Sequence, residues 1–122
     1  MSLGVVVVAH VPEMATGLAK LLQNIAPSVA ITAAGGNSVG ALGTSMDQIE
    51  HAFKKNTAGE LLVFYDFGSA RRNIELAAAF GEKNIYIYDA AFTEGAYTAA
   101  TLLAAGQDRA AINAAIQKLV IK

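Results

Sequence analysis

The chain has 122 residues, a length that suits a single domain covering residues 1–122. Nine Lys and Arg residues against ten Asp and Glu residues give a net charge of -1, which argues against the basic surface that nucleic-acid binding needs. Because the chain has no cysteine, disulfides, thiol catalysis and cysteine-ligated metal sites are excluded.

The first predicted element is a strand built on Val5–Val8 and ending just before His10. Four consecutive valines favour a strand, and the lack of polar alternation is typical of one buried on both faces in a parallel sheet. Pro12 suits the first turn of a helix, so His10 lies where a central strand gives way to a helix. Open α/β sheets bind ligands at such points, and an imidazole there can act as a nucleophile.

The run of valines is far shorter than the ~20 apolar residues of a membrane span, so we expect a cytoplasmic protein without membrane insertion.

The rest of the chain alternates between helical and strand patterns. The predicted elements are a helix over 12–25, a strand over 29–33, a helix from about 44–45, a strand over 61–65, a helix ending at 81, a strand over 85–88, a helix over 93–106 and a helix over 108–119. This alternation predicts an open, mainly parallel four-stranded sheet, order 2-1-3-4, with helices on both faces and right-handed crossovers. A short C-terminal edge strand at 120–122 is left open.

Three of the four strands end in a titratable residue, namely His10, Asp66 and Asp89. If the first and third strands are neighbours, the Asp66 carboxylate faces the His10 ring across the sheet edge. It would then fix the ring tautomer and stabilise the positive ring formed during a transfer reaction. We therefore predict His10 and Asp66 as the catalytic pair. The alternative is that His10 is a structural hydrogen-bonding residue and that both aspartates only begin helices.

Small and hydroxylated residues near the same edge are candidates for binding a phosphoryl group. The predicted phosphate-binding residues are Gly36, Thr44, Gly68 and Ser69. Arg71 and Arg72 are candidates for contact with a partner's acidic or phosphate groups, although paired surface arginines are commonly just solvated. The glycines match neither GxGxxG nor a P-loop, so no nucleotide motif is present. No metal ligand is predicted, and His51 is expected on a solvated helix face.

Five short motifs occur in an order that resembles the mannose-type enzyme IIA domains of the bacterial phosphotransferase system. They are Gly4–Val8 leading to His10, Ala33–Gly36, Gly43–Thr44, Asp66–Ala70 and Thr93–Ala96. Within that superfamily the chain is most similar to the phosphoryl-donor subunits of phosphotransferase-dependent dihydroxyacetone kinases. The resemblance covers nearly the whole chain.

This resemblance implies that His10 is phosphorylated, with Asp66 as its partner. The phosphoryl group would come from the histidine-containing phosphocarrier protein and pass to ADP on the nucleotide-binding subunit of the kinase. The resulting ATP would phosphorylate dihydroxyacetone held covalently on a third subunit. The resemblance also implies a homodimer without a metal or cofactor of its own, since ADP and ATP stay on the partner subunit.

The chain departs from the family pattern beside the histidine. Relatives usually have serines on both sides, whereas this chain has Ala9 and Val11. This departure leaves open a non-catalytic regulatory or binding module of the same fold, and an enzyme IIA of a mannose-type sugar transporter is a further alternative. The Asp-Phe-Gly-Ser-Ala sequence beginning at Asp66 favours the kinase subunit, because transporter relatives more often have a double glycine with Ser and Pro there.

Overall fold

A computed structural model describes residues 2–122. These residues form one sheet from strands β1 (Leu3–Ala9), β2 (Ile31–Gly35), β3 (Glu60–Tyr65) and β4 (Asn84–Tyr88). The α-helices are α1 (Pro12–Ile25), α2 (Met46–Lys55), α3 (Arg71–Phe80), α4 (Phe92–Ala104) and α5 (Arg109–Ile116). All strand pairs are parallel and the order is β2-β1-β3-β4, which confirms the predicted architecture. None of the helices within residues 2–122 is long and apolar enough to cross a bilayer.

Strand β1 lies inside the sheet, between β2 and β3. Its four valines are fully buried, and successive side chains enter opposite cores. Val5 and Val7 pack in the core formed with α1, α4 and α5, whereas Val6 and Val8 pack in the core formed with α2 and α3. Because helices cover both faces of β1, side chains on both faces are buried in apolar cores, which explains the unbroken apolar run in the sequence.

Most helices begin where the sequence predicts. Pro12 is the first residue of α1. Ser45 precedes α2, and its side chain accepts a hydrogen bond from the Gln48 backbone at 3.4 Å. Asp108 precedes α5 and accepts from the Ala111 backbone at 2.9 Å. Helix α4 begins one residue earlier than predicted, at Phe92.

Strand β2 begins two residues later than predicted, at Ile31 rather than Val29. The Val29 backbone N–H instead donates to the Ala26 carbonyl at 3.0 Å, in a turn that follows α1. The Val29 side chain still packs against the core. An apolar residue can thus join the core without joining the sheet, which is why the predicted strand lies two residues too early; the observed strand has the same length and ends at Gly35 instead of Ala33.

The C-terminal residues run antiparallel beside the end of β4. One isolated β-bridge joins Ala90 and Val120, and the Ile121 N–H donates to the Asp89 carbonyl at 3.1 Å. A 3₁₀ turn over Gln117–Leu119 occupies the residues just before the bridge. The edge strand left open at 120–122 is therefore reduced to a single bridge.

At Gly35, β2 lies close against the start of α1, beside the end of β1. A Cβ at this position would lie 2.7 Å from the Pro12 Cα and 2.9 Å from the Val11 carbonyl oxygen, both backbone atoms. We expect Gly35→Ala to lower the free energy of unfolding by about 1–3 kcal/mol, because the backbone must move to make room.

Gly17→Ala is the matched control for Gly35→Ala, since a Cβ there meets nothing within 4 Å. Gly17 lies in the exposed part of α1, so this substitution should stabilise the fold by about 0.5–1 kcal/mol. Urea denaturation measures both changes. Equal effects of the two substitutions would contradict the close approach of Gly35 to α1.

Candidate functional site

The sheet topology places His10 and Asp66 next to each other. Val8 of β1 is in register with Tyr65 of β3, and the chain leaves both strands within the next two residues. The Asp66 backbone N–H donates to the Val8 carbonyl at 3.2 Å, which extends the pairing to the aspartate itself. Both side chains therefore emerge at the carboxyl edge of the sheet, where open α/β folds bind ligands.

The Asp66 carboxylate holds His10 at two points. Its Oδ2 accepts the His10 backbone N–H at 2.9 Å, and its Oδ1 lies 2.8 Å from the ring Nδ1. Oδ1 also accepts the Phe67 backbone N–H at 2.8 Å, and the carboxylate side chain is only 4% exposed. Because an ionised carboxylate only accepts hydrogen bonds, Nδ1 carries the proton. The orientation and tautomer of the ring are thus fixed.

The other ring nitrogen of His10 faces the exposed side of the site. With the proton on Nδ1, Nε2 carries the lone pair and accepts a hydrogen bond from the Ser69 hydroxyl at 2.7 Å. The Phe67 ring lies beside the His10 ring, with centroids 5.6 Å apart, and is 61% exposed. Nε2 is therefore a basic, nucleophilic atom next to a hydroxyl donor and an exposed apolar surface.

The other predicted phosphate-binding residues differ in whether they are exposed and whether their polar groups are free to bind an anion. Gly68 is exposed and begins a 3₁₀ turn that leads into α3. Gly36 is buried, and its backbone N–H donates to the Ala9 carbonyl at 3.2 Å, so that amide is not free for an anion in this conformation. The Thr44 hydroxyl oxygen accepts a hydrogen bond from the Asn73 amide at 2.8 Å.

The two candidate partner-contact arginines have different surroundings. The Arg71 guanidinium forms an ion pair with Asp89 and lies 3.4 Å from the Glu75 carboxylate, so its charge is already partnered within the chain. Arg72 is exposed on the first turn of α3. Of the two, only Arg72 presents its side chain openly to a partner.

Two residues beside the site, Tyr65 and Lys122, belong to none of the sequence motifs. The Tyr65 hydroxyl donates to Asp89, so the third titratable strand end binds a tyrosine and an arginine instead of His10. Lys122 donates to the Ala90 carbonyl at 2.7 Å and to the Asp66 carbonyl at 3.3 Å. Its ammonium also lies 4.6 Å from the centre of the Tyr65 ring. Burial lowers the pKa of Lys122.

The Tyr65 phenol gives the fold a pH dependence in the alkaline range. Burial raises the pKa of Tyr65 above its usual value of 10.0, and the hydrogen bond to Asp89 raises it further. The unfolded chain therefore releases this proton at lower pH than the folded chain. We expect the free energy of unfolding to fall as pH rises past 10.

Tyr65→Phe should flatten this decline, as measured by urea denaturation at several pH values between 8 and 11. Burial also raises the pKa of Tyr88, so part of the decline should remain in the variant. Tyr97→Phe, at an exposed position on α4, is the control and should follow the wild type. An undiminished alkaline loss in Tyr65→Phe would contradict the role given to this phenol.

The second histidine lies outside the site. His51 is exposed on α2, as the sequence predicts. Among residues 2–122 there is no group of three or more His, Asp and Glu side chains suited to holding a metal ion.

Comparison with known proteins gives closely related sequences. A model of the EIIA-man family, described as "PTS system fructose IIA component", matches residues 4–113. The chain is 42% identical to the phosphotransferase subunit DhaM of the PTS-dependent dihydroxyacetone kinase of Lactococcus lactis subsp. lactis (strain IL1403), over 100% of this chain and 99% of that protein. It is 38% identical to the phosphoryl donor subunit DhaM of the PEP-dependent dihydroxyacetone kinase 1 of Listeria innocua serovar 6a, over 98% of this chain and 96% of that protein.

Solved structures share the fold. The crystal structure of the unknown function protein EF1359 superposes with a TM-score of 0.84 at 27% identity, covering 100% of this chain and 98% of that one. A sigma-54 interaction domain protein from Enterococcus faecalis superposes with a TM-score of 0.69 at 17% identity, covering 95% and 88% of the two chains, which shows the fold alone. From the family match and the two DhaM relatives together, the chain belongs to the EIIA-man family of phosphotransferase-system IIA components, in the branch of the DhaM subunits.

Proposed function

We propose that this chain is a phosphocarrier subunit of a phosphotransferase-dependent dihydroxyacetone kinase. His10 accepts a phosphoryl group from the histidine-containing phosphocarrier protein and passes it to ADP on the nucleotide-binding subunit of the kinase. One observation carries the proposal: the Asp66 carboxylate lies 2.8 Å from Nδ1, which favours the proton on that nitrogen and leaves the Nε2 lone pair directed toward the exposed side of the site. The names of the two DhaM relatives support the choice of kinase.

The first transfer uses Nε2 as the nucleophile. The N–P bond on the donor protein breaks as a new bond forms between phosphorus and Nε2 of His10. No proton leaves Nδ1, so the ring becomes positively charged, and the Asp66 carboxylate at 2.8 Å stabilises that charge. Asp66 is already desolvated and fixed by backbone donors, so little reorganisation is needed as the charge develops.

The second transfer reverses these roles. A terminal oxygen of the ADP β-phosphate attacks phosphorus, the bond to Nε2 breaks, and the ring returns to its neutral form. In the unphosphorylated site, the Ser69 hydroxyl donates a hydrogen bond to the Nε2 lone pair. When Nε2 is phosphorylated, the hydroxyl rotates away and donates to a phosphoryl oxygen. Ala9 and Val11 beside His10 have no hydroxyl groups, so Ser69 supplies the hydroxyl donor to the phosphoryl group.

The chain itself needs no cofactor or metal in this proposal, since ADP and ATP stay on the partner subunit. The relay operates in the cytoplasm.

Exposed apolar side chains on α1 and α4, among them Leu21 and Tyr97, support a homodimer. Sedimentation of the purified chain tests the dimer.

A phosphoryl relay assembled from purified proteins tests the function. The chain is incubated with labelled phosphoenolpyruvate, enzyme I and the phosphocarrier protein, and then with the ADP-loaded nucleotide-binding subunit. We expect acid-labile label on the chain that then appears as ATP. No label on the chain would contradict phosphoryl transfer and favour a non-catalytic module.

The family description supports a second candidate function, a IIA component of a sugar transporter. In that case the labelled chain keeps its phosphoryl group in the presence of the ADP-loaded subunit and loses it to a IIB domain. Measuring both acceptors in parallel separates the two functions.

A further inference from the structure

Ser69, His10 and Asp66 form a continuous hydrogen-bonded row. The Ser69 hydroxyl lies 2.7 Å from Nε2, and Nδ1 of the same ring lies 2.8 Å from the Asp66 carboxylate. A nucleophile that contacts a base, which a third group orients, is the arrangement that activates serine for attack on carbonyl carbon. We propose that Ser69 is itself a nucleophile and that the site transfers acyl groups from small activated esters to water. This activity is separate from the phosphoryl relay and uses the unphosphorylated chain.

The base in this row is well positioned. Both Asp66 oxygens have backbone donors, from His10 at 2.9 Å and from Phe67 at 2.8 Å, so the carboxylate cannot rotate away from the ring. Nδ1 donates to that carboxylate, so Nε2 is the ring nitrogen with a free lone pair, and the Ser69 hydroxyl is the group that donates a hydrogen bond to it. The imidazolium formed on proton transfer is then paired with a buried negative charge.

The nucleophile is accessible to a small ester. Phe67, Gly68 and Ser69 are all exposed, and a Cβ placed on Gly68 meets nothing within 4 Å. The Phe67 ring stands beside the His10 ring and offers an apolar surface for an acyl chain or an aryl leaving group. The substrate class that fits is an uncharged ester of a short carboxylic acid with a good leaving group.

The reaction balances without any further reagent. Nε2 takes the Ser69 proton while Oγ attacks the ester carbonyl, and the tetrahedral intermediate expels the alcohol or phenol, which receives that proton. Water then attacks the acyl-Ser69 ester with Nε2 again acting as base. The products are the free acid and the original hydroxyl.

Hydrolysis of p-nitrophenyl acetate by the purified chain tests the proposal through nitrophenolate absorbance. Because Ser69→Ala removes the hydroxyl that His10 activates, the general-base assistance of His10 is lost with it, and we expect the catalysed rate to fall by about 100-fold. Intact-protein and peptide mass spectrometry should find an acetyl group on Ser69 in the wild type. Ser38→Ala, at an exposed loop serine, is the matched control and should keep the wild-type rate.

Direct attack by His10 on the ester is the competing explanation. In that case Ser69→Ala hydrolyses the ester as fast as the wild type while His10→Ala does not, and the proposal is overturned. Ser69→Cys keeps a nucleophile at the position and should give an acetyl-thioester mass, so a folding defect in Ser69→Ala cannot imitate the result. The assay contains no phosphocarrier or nucleotide, so its failure is distinguishable from failure of the phosphoryl relay.

Discussion

Replacement of His10 by alanine is expected to abolish phosphoryl labelling of the chain by the phosphocarrier protein. Nε2 of His10 is the nucleophile of the proposed relay, and no other histidine lies at this edge of the sheet within residues 2–122. Retention of labelled phosphate on a gel at alkaline pH, with loss in acid, measures the effect.

His51→Ala is the matched control, because the chain contains only two histidines and His51 lies exposed on α2. It should be labelled as readily as the wild type. Label that persists in His10→Ala and disappears in His51→Ala would move the acceptor to the other histidine and overturn the site.

Replacement of Asp66 by asparagine is expected to slow labelling by about a thousandfold to ten-thousandfold, although the two side chains have nearly the same shape. The carboxylate oxygen only accepts a hydrogen bond from Nδ1, whereas an amide group can donate to it. Donation to Nδ1 moves the ring proton to Nε2 and removes the lone pair that attacks phosphorus. The variant also loses the negative charge that stabilises the phosphorylated ring in the proposed relay.

Rapid-quench measurement of the first labelling turnover gives this rate for Asp66→Asn. Asp47→Asn, at an exposed carboxylate in the first turn of α2, controls for loss of one negative charge and should react normally. Thermal unfolding followed by circular dichroism should show that Asp66→Asn is folded. Labelling of Asp66→Asn at the wild-type rate would show that the ring tautomer does not limit the reaction.

Much of the architecture was predictable, because the burial of each strand and helix determines the spacing of its apolar residues in the sequence. The valines of β1 identify an interior strand, and the regular alternation with helices fixes a parallel sheet. The neighbouring positions of His10 and Asp66 follow from that, since adjacent parallel strands end at the same edge. The strand limits were less predictable, because Val29 shows that an apolar residue can enter the core from a turn.

The contacts that long side chains make around the site could not be predicted from the sequence. They depend on which residues of neighbouring elements each side chain can reach. Tyr65 belongs to an apolar strand, and only the placement of β4 brings its hydroxyl to Asp89. The sequence presents Arg71 as a charge without a partner, and only the fold shows that Asp89 pairs with it. Lys122 reaches the Asp66 carbonyl because residues 120–122 run antiparallel beside the end of β4, a path that the sequence left open.

The pairing of Nδ1 with a carboxylate that is nearly sealed from water has a kinetic consequence. In the proposed relay, a single ring atom is left for every incoming reactant, so the protein that would load the site and the one that would unload it must arrive in turn. Each must depart before the other can approach, and no ternary assembly forms around the ring. Turnover should therefore follow a double-displacement pattern, with parallel lines in double-reciprocal plots.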